Sequence, residues 1–553
     1  MSMTEWLLQP LAWLFSWRPD WRDAFGRLLL RVGHRFYWGL ALAFALAGAW
    51  DQFGHPFNKQ FSQSSFDWLM RHRPIAYRPD ADIVVLDIDE SSLAALSQAY
   101  GRWPWPRQVL AEVATKLEGA HSQAIIFDIL FSDPDLANPN SEAAFDRYVT
   151  SSRKSFYPVV RLNPQNDALS KISLSMLNFA QRDPTIPAAD VNGRRTIAIV
   201  PPYFKSIYDS ARVGTNNIYP DKDNVVRWYP NFEVLAGYRI PSLPYRVAQV
   251  LGWTPPMLQR NLINWPKGAT PYRTIAFASA YRAAMRNDAA FFAQFSGKIV
   301  LIGSTAPSLN DIKATPVDRL TPGIYVLAAA IDNSKNKRFL SPLSPSWIWG
   351  LEVLMLAASA HLFARTKQAF AVAKYFFIVP SVLLLISLLS VSVGGLLIDL
   401  SVSAAIVLGY FTIAKLFDTN SRGFVSGTGA FKATRGEIAG QLQIACLPAS
   451  VSRDRVLRLL MRPGSQIKLW EPPDTGLGQP WTRQGWVLWR WFARDADCTK
   501  VQPALGATGT TELDPGWIDV PMTEAQGSSF PLVQAIAAAA TRAAVLRTVK
   551  HTY

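Results

Sequence analysis

The sequence predicts an α/β domain with a mixed, mainly parallel sheet, held to a membrane by four apolar helices and followed by a small α+β tail. Three observations carry this prediction. Ile83-Val84-Val85-Leu86, bounded by acids, and Ala124-Ile125-Ile126-Phe127, just before Asp128, are continuous apolar runs, which suits strands buried on both faces and hence a parallel pair. Ile299–Ile302, ending in Gly303-Ser304-Thr305, is a third run of the same kind. Apolar residues crowd residues 36–50, 347–363, 375–392 and 396–414, whereas 51–340 reads as an ordinary globular domain.

The chain has 553 residues, too many for one ordinary domain. Its net charge of +15 raises the question of nucleic acid, but the basic residues are dispersed and no nucleic-acid motif occurs, so no such partner is expected. Arginines flanking the membrane account for part of the excess. The two cysteines, Cys446 and Cys498, follow the last apolar segment, which excludes a disulfide framework in the large domain and suits a reducing compartment for the tail.

Taken in order, residues 1–35 form a basic N-terminal segment. Its Trp6–Trp17 piece either lies flat at a membrane interface or is a loosely ordered tail. Residues 36–52 are the first span, with Tyr37, Trp38 and Trp50 at its edges. Ala45-Leu46-Ala47 resembles a signal-peptide cleavage site, though the preceding region is longer than usual. Arg18, Arg22, Arg27, Arg31 and Arg35 place the N-terminus in the cytoplasm, so residues 53–340 lie outside it.

A helix ends before Pro74, strand 83–88 follows, and a broken helix over 90–118 crosses to strand 124–129. Gly101-Arg102-Trp103-Pro104-Trp105-Pro106-Arg107 interrupts that helix as a rigid turn. Further strands are expected at 157–160, 196–200 and 263–265, with a hairpin-like pair at 225–229 and 231–235. Helices are expected at 242–251, 279–295 and 326–333. Spans two to four are 346–364, 375–393 and 396–416, the last two around Gly394-Gly395, with Asp399 near the outer end of the fourth. Residues 420–553 form a cytoplasmic domain with strands at 440–446, 466–469 and 486–491 and helices at 454–461 and 532–549.

Asp87 and Asp89 leave one strand on the same face, Asp128 ends its expected neighbour, and Ser304-Thr305 ends the third strand. Ligands gather at the carboxyl ends of strands in open parallel sheets, so these groups could hold a polar ligand or a cation such as Ca²⁺ or Mg²⁺. The competing reading is structural, with Asp89 as the N-cap of the helix starting at Glu90, and Asp87 and Asp128 fastening the turn. Arg102 and Arg107 could clamp an anion or pair with Asp87 or Asp128, and Trp103 and Trp105 could stack on a ligand or cover the sheet edge. The histidines have no metal spacing, no cofactor motif occurs, and no nucleophile–base pair marks an enzyme.

Several motifs carry a resemblance. They are Arg71–Pro74, Ile83–Glu90, Trp103–Arg107, Ile125–Phe131, Asp221–Arg227 and Gly297–Ala306. In this order they resemble the second class of CHASE domains, extracytoplasmic sensors associated with cyclases and histidine kinases and usually followed by three spans. Asn224 stands where the family usually has glycine, and Tyr325, Leu327 and Ala329 stand where it often has Glu, His and Asn. The resemblance implies a multi-pass sensor of the inner (plasma) membrane that takes an envelope or environmental ligand and signals as a homodimer. The tail shows no cyclase, kinase or phosphodiesterase signature, so it is expected to bind a protein partner. A structural subunit of an envelope assembly, reusing the sensor fold, is the alternative.

Overall fold

The computed structural model describes residues 35–54, 59–204, 211–268, 270–365, 369–392 and 395–426, and four strands beyond them. Internal contacts divide the chain into two compact units.

One unit comprises residues 48–351 with 379–405. The strands of its main sheet are β1 (Ile83–Asp87), β2 (Ala124–Phe127), β3 (Ser155–Arg161), then the short β4 (Ile199–Val200) and β5 (Val213–Thr215), then β6 (Arg273–Ala276) and β7 (Ile299–Gly303). The sheet order is β6-β1-β7-β2-β3-β4, with β5 also paired to β3. All pairings are parallel except β3 with β4. The expected mixed, mainly parallel sheet is therefore present. The direct pairing of β1 with β2 is not, because β7 inserts between them. Periodicity marks a strand as buried but says nothing of which distant run lies beside it.

Alternation explains the layers. Val84, Leu86, Ile125, Phe127, Val300 and Ile302 face one core, and Ile83, Val85, Ala124, Ile126, Ile299 and Leu301 face the other. Helices α1 (Arg35–Phe53) and α2 (Lys59–His72) precede the sheet, and α3 (Glu90–Tyr100) and α4 (Gln108–Gly119) connect β1 to β2. With α5 (Pro139–Ser151), α3 and α4 contribute to the first core, whereas α2 contributes Phe66, Leu69 and Met70 to the second. Helix α6 (Leu243–Val250) also packs on the second core. Helices α7 (Phe277–Met285) and α8 (Ala289–Ala293) return to the first, and α9 (Gly323–Asn336) to the second.

Several expectations shift. Residues 232–235 pair with 238–241 rather than with 225–229, because Ala236 and Gly237 both take positive φ and close a tight turn. Residues 228–230 pair instead with Arg260–Leu262, which replaces the strand expected at 263–265. The helix expected over 279–295 is divided into α7 and α8, with Asn287 at φ 54° between them.

The apolar helices are α1, α10 (Pro345–Arg365), α11 (Ala369–Ser390) and α12 (Ser401–Ser426). Among the described residues, Pro345–Arg365 and Ser401–Asp418 are long and apolar enough to cross a membrane, and Tyr375–Ser390 is a shorter apolar stretch. The fourth expected span begins at Ser401, not Leu396, because Leu396-Leu397 forms a parallel bridge with Ser341-Pro342.

The other unit comprises residues 1–47, 352–378 and 406–553. Within it, Tyr37 stacks on Phe363 at 5.3 Å, Phe36 on Phe417 at 3.8 Å, and Tyr410 donates to the Tyr37 carbonyl at 3.2 Å. Its described tail strands, 440–448, 467–470, 485–493 and 518–520, form an antiparallel sheet in the order 467–470, 485–493, 440–448, 518–520. The expected N-terminal piece at 6–17 and the tail helices at 454–461 and 532–549 lie outside the described residues.

Candidate functional site

The carboxyl ends of β1, β7 and β2 lie side by side, so Asp87, Gly303-Ser304-Thr305 and Asp128 share one edge of the sheet. Asp87 turns toward the β7 loop. Its carboxylate accepts the Thr305 N–H at 2.8 Å and the Thr305 hydroxyl at 2.5 Å. Burial pushes the Asp87 carboxyl above its ordinary pKa, against those hydrogen bonds. The Ser304 hydroxyl donates to the Ile88 carbonyl at 2.7 Å and accepts from Ala306 N–H at 3.0 Å. Asp89 caps α3, accepting from Ser92 N–H at 2.8 Å and the Ser91 hydroxyl at 2.7 Å. Burial works against it, but these bonds hold the Asp89 carboxyl below its ordinary pKa.

The turn residues go elsewhere. Arg107 pairs with neither Asp87 nor Asp128. It donates to both Glu142 oxygens at 3.1 Å and to the Asp133 carbonyl, and its guanidinium stands 4.5 Å over the Tyr203 ring. Arg102 is exposed and has no ion-pair partner among the described residues. Trp105 is buried and stacks on Phe277 of α7 at 5.7 Å, and Trp103 meets Trp105 edge-on. Helix α5 supplied the acid for Arg107, and no local spacing joins positions 107 and 142.

Asp128 has the site's other distinctive environment. Asn216, in the loop after β5, donates its amide to Asp128 Oδ1, and the Tyr229 hydroxyl donates to Asn216 Oδ1 at 2.9 Å. Burial, and then the facing Asp311 carboxylate, push the Asp128 carboxyl up to about 7, while Asn216 and Lys313 oppose the shift. Asp311 pairs with Lys313 at 2.9 Å. Two glycines make room: a Cβ on Gly303 would come 2.8 Å from both Asp128 Cβ and Ile324 Cδ1, and one on Gly323 would overlap the Asp311 carboxylate. Asn216, Tyr229, Asp311 and Lys313 carried no sequence signal, since they reach Asp128 only through the fold.

Two further clusters surround the connecting segments. Arg227 binds both oxygens of Asp67 on α2 at 2.8 Å, Asp221 at 3.0 Å and Asp223 at 2.6 Å. Against the penalty of burial, these carboxylates hold the guanidinium well above its ordinary pKa. The preceding Asn224 sits at φ 66°, a left-handed conformation that asparagine tolerates and glycine adopts freely. Beyond α2, buried Arg73 donates to Asn264, to the Trp265 carbonyl and to the Val391 carbonyl. Ser62 and Ser65 donate to Asp399 at 3.1 and 3.4 Å, and Ser341 and Leu343 N–H groups donate to the Gly395 and Leu397 carbonyls.

Among the described residues, no group of three or more His, Cys, Asp or Glu is placed to hold a metal ion. An open depression of about 700 Å³ on α4 and α5, lined by Thr115, Asp146, Arg147, Thr150 and Ser151, involves none of the residues singled out from the sequence. Tyr325, Leu327 and Ala329 are buried on α9, with the Tyr325 hydroxyl 3.1 Å from Thr274.

A mainly parallel α/β sheet with helices on both faces and acids at its carboxyl edge sets the class of the domain. The chain belongs to the CHASE2 domain family, which matches residues 40–362, more than half of its length. No curated protein and no solved structure matches it. A CHASE2 domain is a sensory domain, and with two membrane-length helices it gives a membrane sensor in signalling.

Proposed function

We propose that the protein is a multi-pass receptor of the inner membrane. Its CHASE2 domain, residues 53–340, lies outside the cytoplasm and detects an envelope or environmental signal at the carboxyl edge of the sheet. Asp87, Asp128, Ser304 and Thr305 line that edge, with Asp89 as the cap behind it. The turn residues Arg102, Trp103, Trp105 and Arg107 are supports or outer contacts. Four spans return both termini to the cytoplasm, where the tail acts by binding a partner, in a homodimer.

The observation that supports this reading is the grip of the domain on the segment between α11 and α12. Arg73 holds Val391, Ser62 and Ser65 hold Asp399, and Ser341 and Leu343 hold Gly395 and Leu397. A ligand that favours one arrangement of α2 and of residues 341–343 would move that segment. The test is hydrogen exchange of residues 391–400 in the full chain in lipid nanodiscs, with sugars, peptidoglycan fragments and organic acids. A compound that raises the melting temperature and changes exchange there supports the receptor. Arg73→Ala should keep the thermal shift and lose the exchange response.

A second reading, a structural subunit of an envelope assembly, draws on Tyr325, Leu327 and Ala329, which fill the core where the family often has polar residues. No response to any compound, together with a stoichiometric partner retained in mild detergent, would favour it.

A further inference from the structure

Helix α2 is buried on one side and bare on the other. Phe66, Leu69 and Met70 face the second core, and Asp67 is held by Arg227. Phe61, Ser64, Trp68 and Arg71 follow the alternating three- and four-residue spacing of the opposite face. All four are exposed, Phe61 to 49% and Trp68 to 47%. His72, also exposed, stacks on Trp68 at 4.5 Å. Two large aromatic rings on an otherwise polar face suit a boundary between water and an apolar phase.

The position of α2 indicates what meets that face. The helix starts at Lys59, shortly after α1 ends at Phe53. Ser62 and Ser65 donate to Asp399, and Arg73 donates to the Val391 carbonyl. Ser62 and Arg73 stand about 16 Å apart along a helix, yet both hold one short segment, the end of the α11–α12 hairpin nearest the domain. Val391 and Leu397 of that segment share the second core with Phe66, Leu69 and Met70. Helix α2 is thus fastened at both ends at the level where the apolar helices meet the domain. Trp50 and Phe53, at the end of α1, and Trp347, at the start of α10, are exposed at those same helix ends, the depth at which tryptophan collects in membranes. Phe61 and Trp68 continue that belt. Charge agrees. The one acid of α2 is Asp67, buried and paired with Arg227, whereas Lys59 and Arg71 are exposed.

We propose that α2 is an interfacial helix whose bare face lies in the headgroup layer of the extracytoplasmic leaflet and binds anionic phospholipid. Phe61 and Trp68 are its apolar anchors, and Lys59 and Arg71 contact the phosphates. This rests on the reading above that α10 to α12 cross the membrane with the domain outside. The bilayer then holds α2 from one side while the domain holds it from the other, through the second core and the Asp67–Arg227 pair. Lipid charge thereby becomes an input to the helix that connects the domain to the hairpin.

The experiment is nitroxide accessibility in the full chain, in nanodiscs of phosphatidylcholine with and without phosphatidylglycerol. The chain carries Cys446→Ser and Cys498→Ser and one labelled site at a time. Ser64→Cys reports the bare face with both anchors in place. Leu354→Cys, on exposed α10, is the lipid reference, and Leu136→Cys, 84% exposed in the loop after β2, is the water reference. The ratio of oxygen to nickel-chelate collisions at Ser64→Cys should exceed that at Leu136→Cys several-fold and rise further with phosphatidylglycerol. Adding Phe61→Ser and Trp68→Ser should return it to the water value, and adding Lys59→Gln and Arg71→Gln should abolish the effect of phosphatidylglycerol. These four substitutions are on exposed side chains, so the fold is kept. A Ser64→Cys ratio equal to the water reference overturns the proposal. So does spin–spin broadening at Ser64→Cys that disappears on dilution with unlabelled chain, because a second copy then covers the face. Either result with an oxygen-rich Leu354→Cys leaves the membrane reading standing, whereas a chelate-accessible Leu354→Cys sinks that reading and this one with it.

Discussion

At the amino end of the sheet, Asp82 takes Lys298 at 2.7 Å and Lys335 at 2.9 Å, Asp80 takes Lys335 at 2.9 Å, and Asp332 takes Arg338 at 3.0 Å. At the carboxyl end, Asp87 and Asp128 take hydroxyl, amide and backbone donors, and among the described residues no cation contacts either. The hydrogen bonds from Lys298 and Lys335 draw Asp82 down to about 2, whereas burial drives Asp128 up to about 7. One end uses its acids as fasteners. The other keeps acids whose charge is uncompensated, an arrangement that opposes stability at neutral pH and suits a site that responds to something.

The comparison breaks most sharply at Asp332. It is fully buried and accepts from Tyr272, Asp80 N–H, Asn336 and Arg338. Asp332→Ala strands all of these donors and should destabilise the protein by about 3–5 kcal/mol. Thermal unfolding of the full chain in detergent checks this, and a loss below that of any carboxyl-edge variant would refute the fastener assignment. Next in size is Gly323→Ala. Its Cβ overlaps the Asp311 carboxylate, so Asp311 must leave or α9 must shift, with an expected loss of about 1–3 kcal/mol. Asp311→Gly in the same chain should recover most of it if the clash is the cause.

The fastened end and the open end were not equally legible in the sequence. Both-face burial of 83–86, 124–127 and 299–302 followed from unbroken apolar runs, and the cap at Asp89 from its place before a helical pattern. Asp87, Asp128 and Thr305 were found because they end those runs. Their partners were not, since Asn216 lies 88 residues from Asp128 and Thr305 lies 218 from Asp87. Arg107 was misassigned for the same reason: an acid on α5 stood nearer in space than the acids at the strand ends. Local periodicity encodes which face of an element is buried, while pairing across the sheet depends on the packing of whole layers.

Smaller effects sharpen the contrast. Asp89→Ala removes the cap on α3 and should lower stability by about 1 kcal/mol, with Asp89→Ser recovering much of it in the same melting assay. Smallest is Lys298→Ala. The pair it breaks is part-exposed, with Asp82 46% and Lys298 26% accessible, and Lys335 still holds Asp82. Screening leaves it about 0.2–1 kcal/mol, which should vanish in about 1 M salt. Asp82 lies below its ordinary pKa, so the contribution of this pair is present at neutral pH and is lost as pH falls toward about 2. That is opposite in sign to Asp128, whose contribution fades as pH rises. Melting curves of Lys298→Ala and Asp128→Asn should therefore both part from wild type as pH rises, with opposite signs: Lys298→Ala falls below it and Asp128→Asn rises above it. If both variants fell below wild type at the alkaline end, the two ends of the sheet would not differ in the way their contacts imply.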